Sequence, residues 1–222
     1  MNSLERKQKS IEILKANKIP YMEGLPAIEA ANEIEMRSAE EIAKRAIACL
    51  ISIQVACDIT EKRDIEKSRE FFKLLLDKYD IKEELTNNER EIIYGNPEEQ
   101  DIINMAWKYE AYWTLIWALG IVDKLEYPSQ ICDCNFAIHV VANHESFNDF
   151  MKTTKLRSAD EILDEADLIY RYHWACVESR INGENPPAGI DAGVIFERHW
   201  GLNWLIGKSK YNDNWDSVST DT

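Results

Sequence analysis

The chain has 222 residues, 45% hydrophobic and 30% charged, so it has enough core-forming side chains to fold without a disulfide framework or a structural metal. Forty acidic residues against twenty-six basic ones give a formal net charge of -14. This negative field disfavours nucleic acids and anionic membranes as partners and favours a basic protein. No apolar run approaches the roughly 20 residues that a membrane-spanning helix needs, and nothing in the sequence implies a cofactor.

The five cysteines cannot all pair within one chain. Cys49, Cys57 and Cys176 fall in apolar helical patterns, where a thiol behaves as a small hydrophobic side chain. Cys132 and Cys134 form a C-x-C, which is one residue shorter than the C-x-x-C of redox and zinc sites and lacks a second pair to complete four ligands. We therefore predict no metal site and a reducing, cytoplasmic location.

Helix start and stop signals divide the chain into about eight predicted helices. Ser38-Ala39-Glu40-Glu41 is a capping box, and the helix that it opens, to about Cys57, is apolar on almost every side. We expect this helix to lie at the centre of the core. The segment 157–162 resembles 37–42, and we attribute this to shared capping chemistry rather than to duplication.

Later signals predict further helices. The cap at Asn96 followed by Pro97 begins a helix that is expected to run to Gly120. Short helices are predicted over 136–142 and 147–153, a long one follows Ser158, and a last one runs from Asp191 to Ile206. The sequence thus predicts an all-α fold: a single-domain bundle over residues 1–207 with irregular connections, and a polar C-terminal tail over 208–222. Tyr211 and Trp215 are its predicted docking points.

Ionisable side chains interrupt the apolar stripes of three predicted helices, and a buried ionisable group must be paired, neutral or functional. Glu110 falls on a stripe with Ile103, with Ala106 or Trp107, and with Trp113 and Trp117. His173 and His199 fall on the stripes of the two last long helices. The candidate catalytic residues are Glu110, His173, Glu178, Glu197 and His199. The candidate ligand-binding residues are Arg171, Arg198, Asn203, Trp113 and Trp174.

Three interpretations of these residues remain open. They form an internal ion network that fixes helix register. Alternatively, Glu110, His173 and His199 supply a two-histidine-one-carboxylate site. A third possibility is a metal-free pocket in which Arg171 or Arg198 clamps an anionic ligand.

Several segments carry a resemblance to a known family. They are Trp107-Lys108-Tyr109-Glu110-Ala111-Tyr112-Trp113, Trp117-Ala118-Leu119-Gly120, Tyr170-Arg171-Tyr172-His173-Trp174-Ala175-Cys176, Phe196-Glu197-Arg198-His199 and Leu202-Asn203-Trp204. Together with Arg37-Ser38 and Trp215-Asp216, they resemble the bacterial domain-of-unknown-function family 4272 over nearly the whole chain. The resemblance implies a single-domain architecture and a bacterial cytosolic context, and it implies no mechanism.

Two hypotheses about function follow. The net charge and the absence of a familiar catalytic motif favour a cytosolic, non-enzymatic module that binds a basic protein through an acidic surface. The alternative is an all-α hydrolase or an anionic-ligand-binding enzyme that uses the tryptophan-lined Glu/His/Arg cluster.

Overall fold

The computed structural model describes residues 1–209 and 212–222. Within these residues the regular structure is helical and no strand occurs, which confirms the all-α prediction. The helices are α1 (Ser3–Ala16), α2 (Ala39–Thr60), α3 (Ile65–Tyr79), α4 (Asn87–Tyr94), α5 (Glu99–Trp107), α6 (Tyr109–Ala118), α7 (Cys134–Ala142), α8 (Phe147–Met151), α9 (Ala159–Ile181) and α10 (Ala192–Ile206). None of them is long and apolar enough to cross a membrane.

The chain divides into two compact units. Unit 1 comprises Met1–Arg37, Lys124–Ile131 and Arg157–Thr222, and unit 2 comprises Ser38–Asp123 and Cys132–Leu156. The bounds predicted from the sequence, a domain over 1–207 and a tail over 208–222, stay a prediction.

Helix α2 is the centre of unit 2. The Ser38 side chain accepts a hydrogen bond from the Glu41 N–H, and the Glu41 carboxylate accepts one from the Ser38 N–H, which satisfies two donors at the helix start. From this start α2 packs against α3, α4, α5 and α6. It is buried over almost its entire middle, so the prediction of a central core helix is confirmed.

Unit 1 is built on α9, which packs against α1 and α10. A second capping box at Ser158 begins α9, and the Asp191 carboxylate caps α10. Residues 212–222 pack in the same unit, where the buried Trp215 ring lies 5.3 Å from the Trp204 ring in an edge-to-face arrangement. Trp215 is therefore a docking point as predicted, whereas Tyr211 lies outside the described residues.

One predicted helix is broken. The segment expected to be continuous from Pro97 to Gly120 is interrupted at Lys108, whose N–H bonds to the Met105 carbonyl three residues back instead of four. Trp107 before the break is 51% exposed, whereas Glu110 after it is buried. The predicted continuous stripe through Trp107 and Glu110 is thus wrong, because the break turns α5 and α6 to different environments.

The predicted end of this region is confirmed. Gly120 follows the C-cap of α6 with a φ of +73°, a conformation that costs a residue with a side chain more than it costs glycine. A Cβ at this position would also lie 2.5 Å from the Lys155 carbonyl oxygen. Glycine therefore allows the chain after α6 to approach the backbone at Lys155 closely within unit 2.

Candidate functional site

The residues that the sequence singled out on α9 and α10 meet as a pair of imidazoles in unit 1. His173 Nδ1 lies 2.8 Å from His199 Nδ1, and the ring centroids are 5.0 Å apart. Both side chains are buried, because α9 and α10 pack along their length and His173 and His199 occupy the facing stripes. The predicted proximity of the two histidines is thus a feature of the structure.

The hydrogen bonds around this pair assign its protons. Asn203 Nδ2 donates to the Ser219 carbonyl at 2.8 Å, which fixes the amide orientation because a carbonyl can only accept. The same nitrogen lies 3.0 Å from His199 Nε2, so that ring atom accepts and His199 carries its proton on Nδ1. This proton is donated to His173 Nδ1, which leaves the His173 proton on Nε2.

Burial keeps both rings neutral. Loss of solvation, followed by the proximity of His173, lowers the pKa of His199 to about 3. The pKa of His173 is also lowered, first by burial and then by the charge of Arg180, while a hydrogen bond to the Thr220 backbone opposes the shift. At neutral pH the pair is therefore an uncharged chain of hydrogen bonds that ends at the backbone of residues 219 and 220.

Two cavities of unit 1 reach the pair from different sides. His199 lines a cavity of about 600 Å³ together with Asn203, Tyr170, Glu29 and Asp221. His173 lines another, of about 460 Å³, next to Cys176 and Arg180. Each imidazole thus faces a different cavity, and among the described residues no arginine or lysine lines the one at His199.

Arg171 forms an internal ion pair. Its Nε and Nη2 donate to the two carboxylate oxygens of Asp167, both at 2.8 Å, and Nη2 also donates to the Pro26 carbonyl at 3.1 Å. Both partners of the ion pair are almost completely buried, with Arg171 1% and Asp167 0% exposed. Asp167 therefore occupies the Nε–Nη2 edge of the guanidinium, while the buried Nη1 has no hydrogen-bond partner among the described residues.

The other candidates of unit 1 also have local roles. Arg198 is buried and donates to the Glu126 carbonyl at 2.6 Å. Glu197 is buried beside it on α10, and Glu178 accepts a hydrogen bond from Asn182 at the end of α9. Trp174 is half-buried on α9.

Glu110 and Trp113 belong to unit 2. The buried Glu110 carboxylate accepts a hydrogen bond from the Cys132 N–H. Trp113 is half-buried, and its ring lies 5.8 Å from that of Phe136 in an edge-to-face arrangement. In the part of the chain that the structure describes, no group of three or more His, Cys, Asp or Glu side chains is arranged to hold a metal ion.

Sequence reasoning missed three parts of these networks. Asp167 was detectable, since a carboxylate four residues before Arg171 lies on the same helix face. Ser219 and Thr220 carry no local signal, because they contribute through backbone atoms. The bond between Glu110 and the Cys132 N–H depends on how a loop passes α6, which no periodicity reveals.

These features define an all-α protein whose candidate site is a neutral, hydrogen-bonded histidine pair between two cavities. The family model described as "Domain of unknown function (DUF4272)" matches residues 6–218, and the chain belongs to this family. The resemblance found in the sequence is thereby confirmed. No curated protein and no solved structure matches the chain.

Proposed function

We propose that the chain is an acidic protein-interaction module that binds a basic protein through the outer side of α5. The observation that carries the proposal is an exposed tryptophan in acidic surroundings. Trp107 is 51% exposed and Ile103, one turn earlier, is 41% exposed. Glu99, a further turn earlier, continues the same row.

The exposed residues of α5 share one side of the helix. Residues spaced three and four apart on a helix lie on one face, and we define the α5 face as Glu99, Gln100, Ile103, Asn104 and Trp107. Met105 and the half-buried Ile102 point the opposite way, towards the core of unit 2. A large apolar anchor surrounded by polar residues is the usual composition of a protein-binding surface.

The charge of this surface indicates the class of partner. No lysine or arginine occurs from Glu98 to Trp107, whereas Glu98, Glu99 and Asp101 are acidic. Together with the net charge of -14, this favours a partner with a basic surface and disfavours nucleic acid. The five free cysteines support a place in the reducing cytoplasm.

The polar network of unit 1 supports the same proposal indirectly. His173, His199, Arg171 and Arg198 each bond to groups of the protein itself. Such internal pairing is what a register-fixing network requires, and a catalytic base would need an open acceptor atom instead.

The test compares Trp107→Ala with Phe71→Ala, which removes an equally exposed aromatic ring from α3 of the same unit. Each protein is immobilised and exposed to native lysate at low and at high salt. We expect wild type and Phe71→Ala to retain the same basic protein at low salt and to release it at high salt. Trp107→Ala should retain at least tenfold less, as expected for a central anchor.

The proposal fails if Trp107→Ala and wild type retain the same proteins in equal amounts, or if the retained protein is acidic. It fails equally if nothing binds at low salt, where electrostatic association is strongest. Thermal unfolding of both variants serves as the check that neither has lost its fold.

A second candidate function is supported by the cavity of unit 1 that His199 lines. Its lining includes His199, Tyr170, Asn203 and two carboxylates, Glu29 and Asp221, and no described lysine or arginine. This lining suits a small cationic molecule, whereas an anionic ligand would need a free arginine. A screen of amines by thermal shift, together with an esterase and phosphatase screen of wild type and His199→Ala, tests this candidate. No stabilisation and no turnover would remove it.

A further inference from the structure

The C-x-C of unit 2 lies at the start of a helix with its two thiols together. Asp133 is the N-cap of α7, so that Cys134 is the first residue of the helix and Cys132 precedes the cap. The side chains of Cys132 and Cys134 lie close enough to influence each other's protonation, and both residues are only half-buried. Cys132 Sγ lies 3.9 Å from the Tyr109 carbonyl oxygen. Cys134 Sγ also lies 3.7 Å from the Cys132 carbonyl oxygen.

The proximity of the two thiols gives them unequal pKa values. The Cys132 side chain lowers the pKa of Cys134 to about 7, against the opposing effects of burial and of Glu110. The Cys134 side chain, burial and the charge of Glu110 raise the pKa of Cys132. One sulfur is therefore suited to be a thiolate at neutral pH while its neighbour stays protonated, which is the arrangement of an attacking and a resolving thiol.

The other titratable groups that face the pair favour protonated thiols. They are Glu110, Asp133, Cys57 and Tyr109, none of which carries a positive charge. The lower pKa of Cys134 therefore depends on its neighbour Cys132 and on the start of α7, where the helix dipole favours an anion. Removing either Cys132 or the charge of Glu110 should change it measurably.

We propose that Cys132 and Cys134 form a redox-active dithiol, in which Cys134 attacks a peroxide and Cys132 closes an intramolecular disulfide. The Cys134 thiolate attacks one oxygen of hydrogen peroxide, the O–O bond breaks, hydroxide leaves, and a sulfenic acid forms. The Cys132 sulfur then attacks the Cys134 sulfur, and the S–O bond breaks. The thiol proton of Cys132 and the departing hydroxyl group leave as water. The two thiols are oxidised by two electrons and the peroxide is reduced.

The chain geometry allows this ring to close. Two residues apart, Cα atoms are separated by about 7 Å at most, and a disulfide needs about 4.4–6.8 Å. Asp133 between them has a ψ of 94°, which is less than fully extended. Only a local bend is therefore required.

Glu110 is the positioning residue of this site. Its carboxylate accepts the Cys132 N–H and so holds the loop before α7, and its charge raises the pKa of both thiols. Glu110→Gln keeps an oxygen acceptor and removes the charge. We expect the pH midpoint of Cys134 alkylation by iodoacetamide to fall in this variant, with a several-fold faster reaction at pH 6. A purely structural Glu110 would leave this midpoint unchanged.

The central experiment treats the reduced protein with hydrogen peroxide and follows it by intact mass and peptide mapping. Wild type and the matched control Cys57→Ser should each lose two hydrogens, with the bond mapped between Cys132 and Cys134. Cys132→Ser should instead accumulate a sulfenic acid at Cys134 that dimedone traps, and Cys134→Ser should react at least tenfold more slowly. Dithiothreitol should restore both thiols of the wild type.

The proposal is overturned if Cys132 and Cys134 both remain alkylatable after peroxide has oxidised free glutathione in the same tube. A disulfide to Cys57, or a trapped sulfenic acid that is equally abundant in wild type and Cys132→Ser, would also overturn it. Far-ultraviolet circular dichroism of each variant verifies that the helices are intact, and these outcomes are independent of whether a basic partner binds the α5 face.

Discussion

Helix α9 of unit 1 and helix α2 of unit 2 begin with the same capping box and have nearly equal lengths, 23 and 22 residues, yet they bury different side chains. The buried residues of α2 are almost all apolar, with Arg45 and Ser52 as the polar exceptions. Those of α9 include Asp167, Arg171 and His173.

This difference between the buried residues of α2 and α9 affects how specifically each helix packs against its neighbours. Apolar side chains pack favourably in many close-fitting arrangements, whereas a buried ion pair or imidazole pair is favourable in one arrangement only. In α9, Asp167 forms a bidentate ion pair with Nε and Nη2 of Arg171, and His173 meets His199 of α10. We infer that the polar residues of α9 specify the register of unit 1, whereas α2 supplies unit 2 mainly with apolar burial.

Breaking the ion pair of α9 should have the largest effect. Asp167→Ala leaves the buried Arg171 guanidinium without its counter-ion, and removing one partner of such a pair costs about 3–5 kcal/mol. Urea denaturation measures the change in the free energy of unfolding. The double variant Asp167→Leu/Arg171→Met should recover most of the loss, and a cost below about 1 kcal/mol for Asp167→Ala would contradict the assigned role.

The matching experiment in α2 removes apolar volume. Ile47 is fully buried, and Ile47→Ala should lower the free energy of unfolding by about 3 kcal/mol through lost burial and the cavity left behind. Leu74→Ala on the exposed side of α3 is the control and should change it by less than about 0.5 kcal/mol. Equal effects of the two substitutions would show that α2 is not the centre of the core.

The next largest effect is expected from acid, which should lower the free energy of unfolding because unit 1 buries a neutral His199. The pKa of His199 in the folded protein is about 3, below the ordinary value of 6.5, so the unfolded chain binds the proton first as the pH falls. The stability that the neutral ring contributes is complete above about pH 6.5 and is lost below it. One proton corresponds to about 1.4 kcal/mol per pH unit, or about 2 kcal/mol between pH 6.5 and pH 5. His173, whose pKa is also lowered, adds to the same trend.

The control for this pH dependence is His199→Gln, which has no titratable ring. Unfolding of both proteins is measured from pH 7 to pH 5, a range that lies above most carboxylate titrations. The stability difference between wild type and variant should shrink as the pH falls. A difference that stays constant over this range would mean that His199 is not buried in its neutral form.

Much of the fold was predictable because its signals are local. Ser38, Ser158 and Asp191 cap helices where the sequence indicated, and Gly120 ends one. The break at Lys108 was missed because it lies in an aromatic run without glycine or proline. Tertiary packing decides such a position, and propensity gives no warning of it.

The candidate site was predictable only in part. Helical periodicity brought His173, His199 and Asn203 together correctly, because these side chains lie on facing stripes of packed helices. Periodicity could not show where Glu110 lies, because the predicted stripe that includes Glu110 is interrupted at Lys108. The C-x-C spacing by itself gave no reason to expect chemistry, and only the folded loop shows the two cysteines at the start of α7 with Glu110 bonded to the Cys132 N–H.

The smallest expected change in the free energy of unfolding comes from the capping boxes, which both units have at the start of α2 and α9. Ser38→Ala and Ser158→Ala each remove a side chain that accepts the N3 N–H of its helix, and each should cost about 1 kcal/mol. Ser→Gly at the same positions should cost only a few tenths of a kcal/mol, because glycine lets water reach the N–H. Chemical denaturation of the four variants makes this comparison. A loss at Ser158 several times that at Ser38 would show that the α9 cap depends on tertiary contacts, since equal local chemistry predicts equal costs.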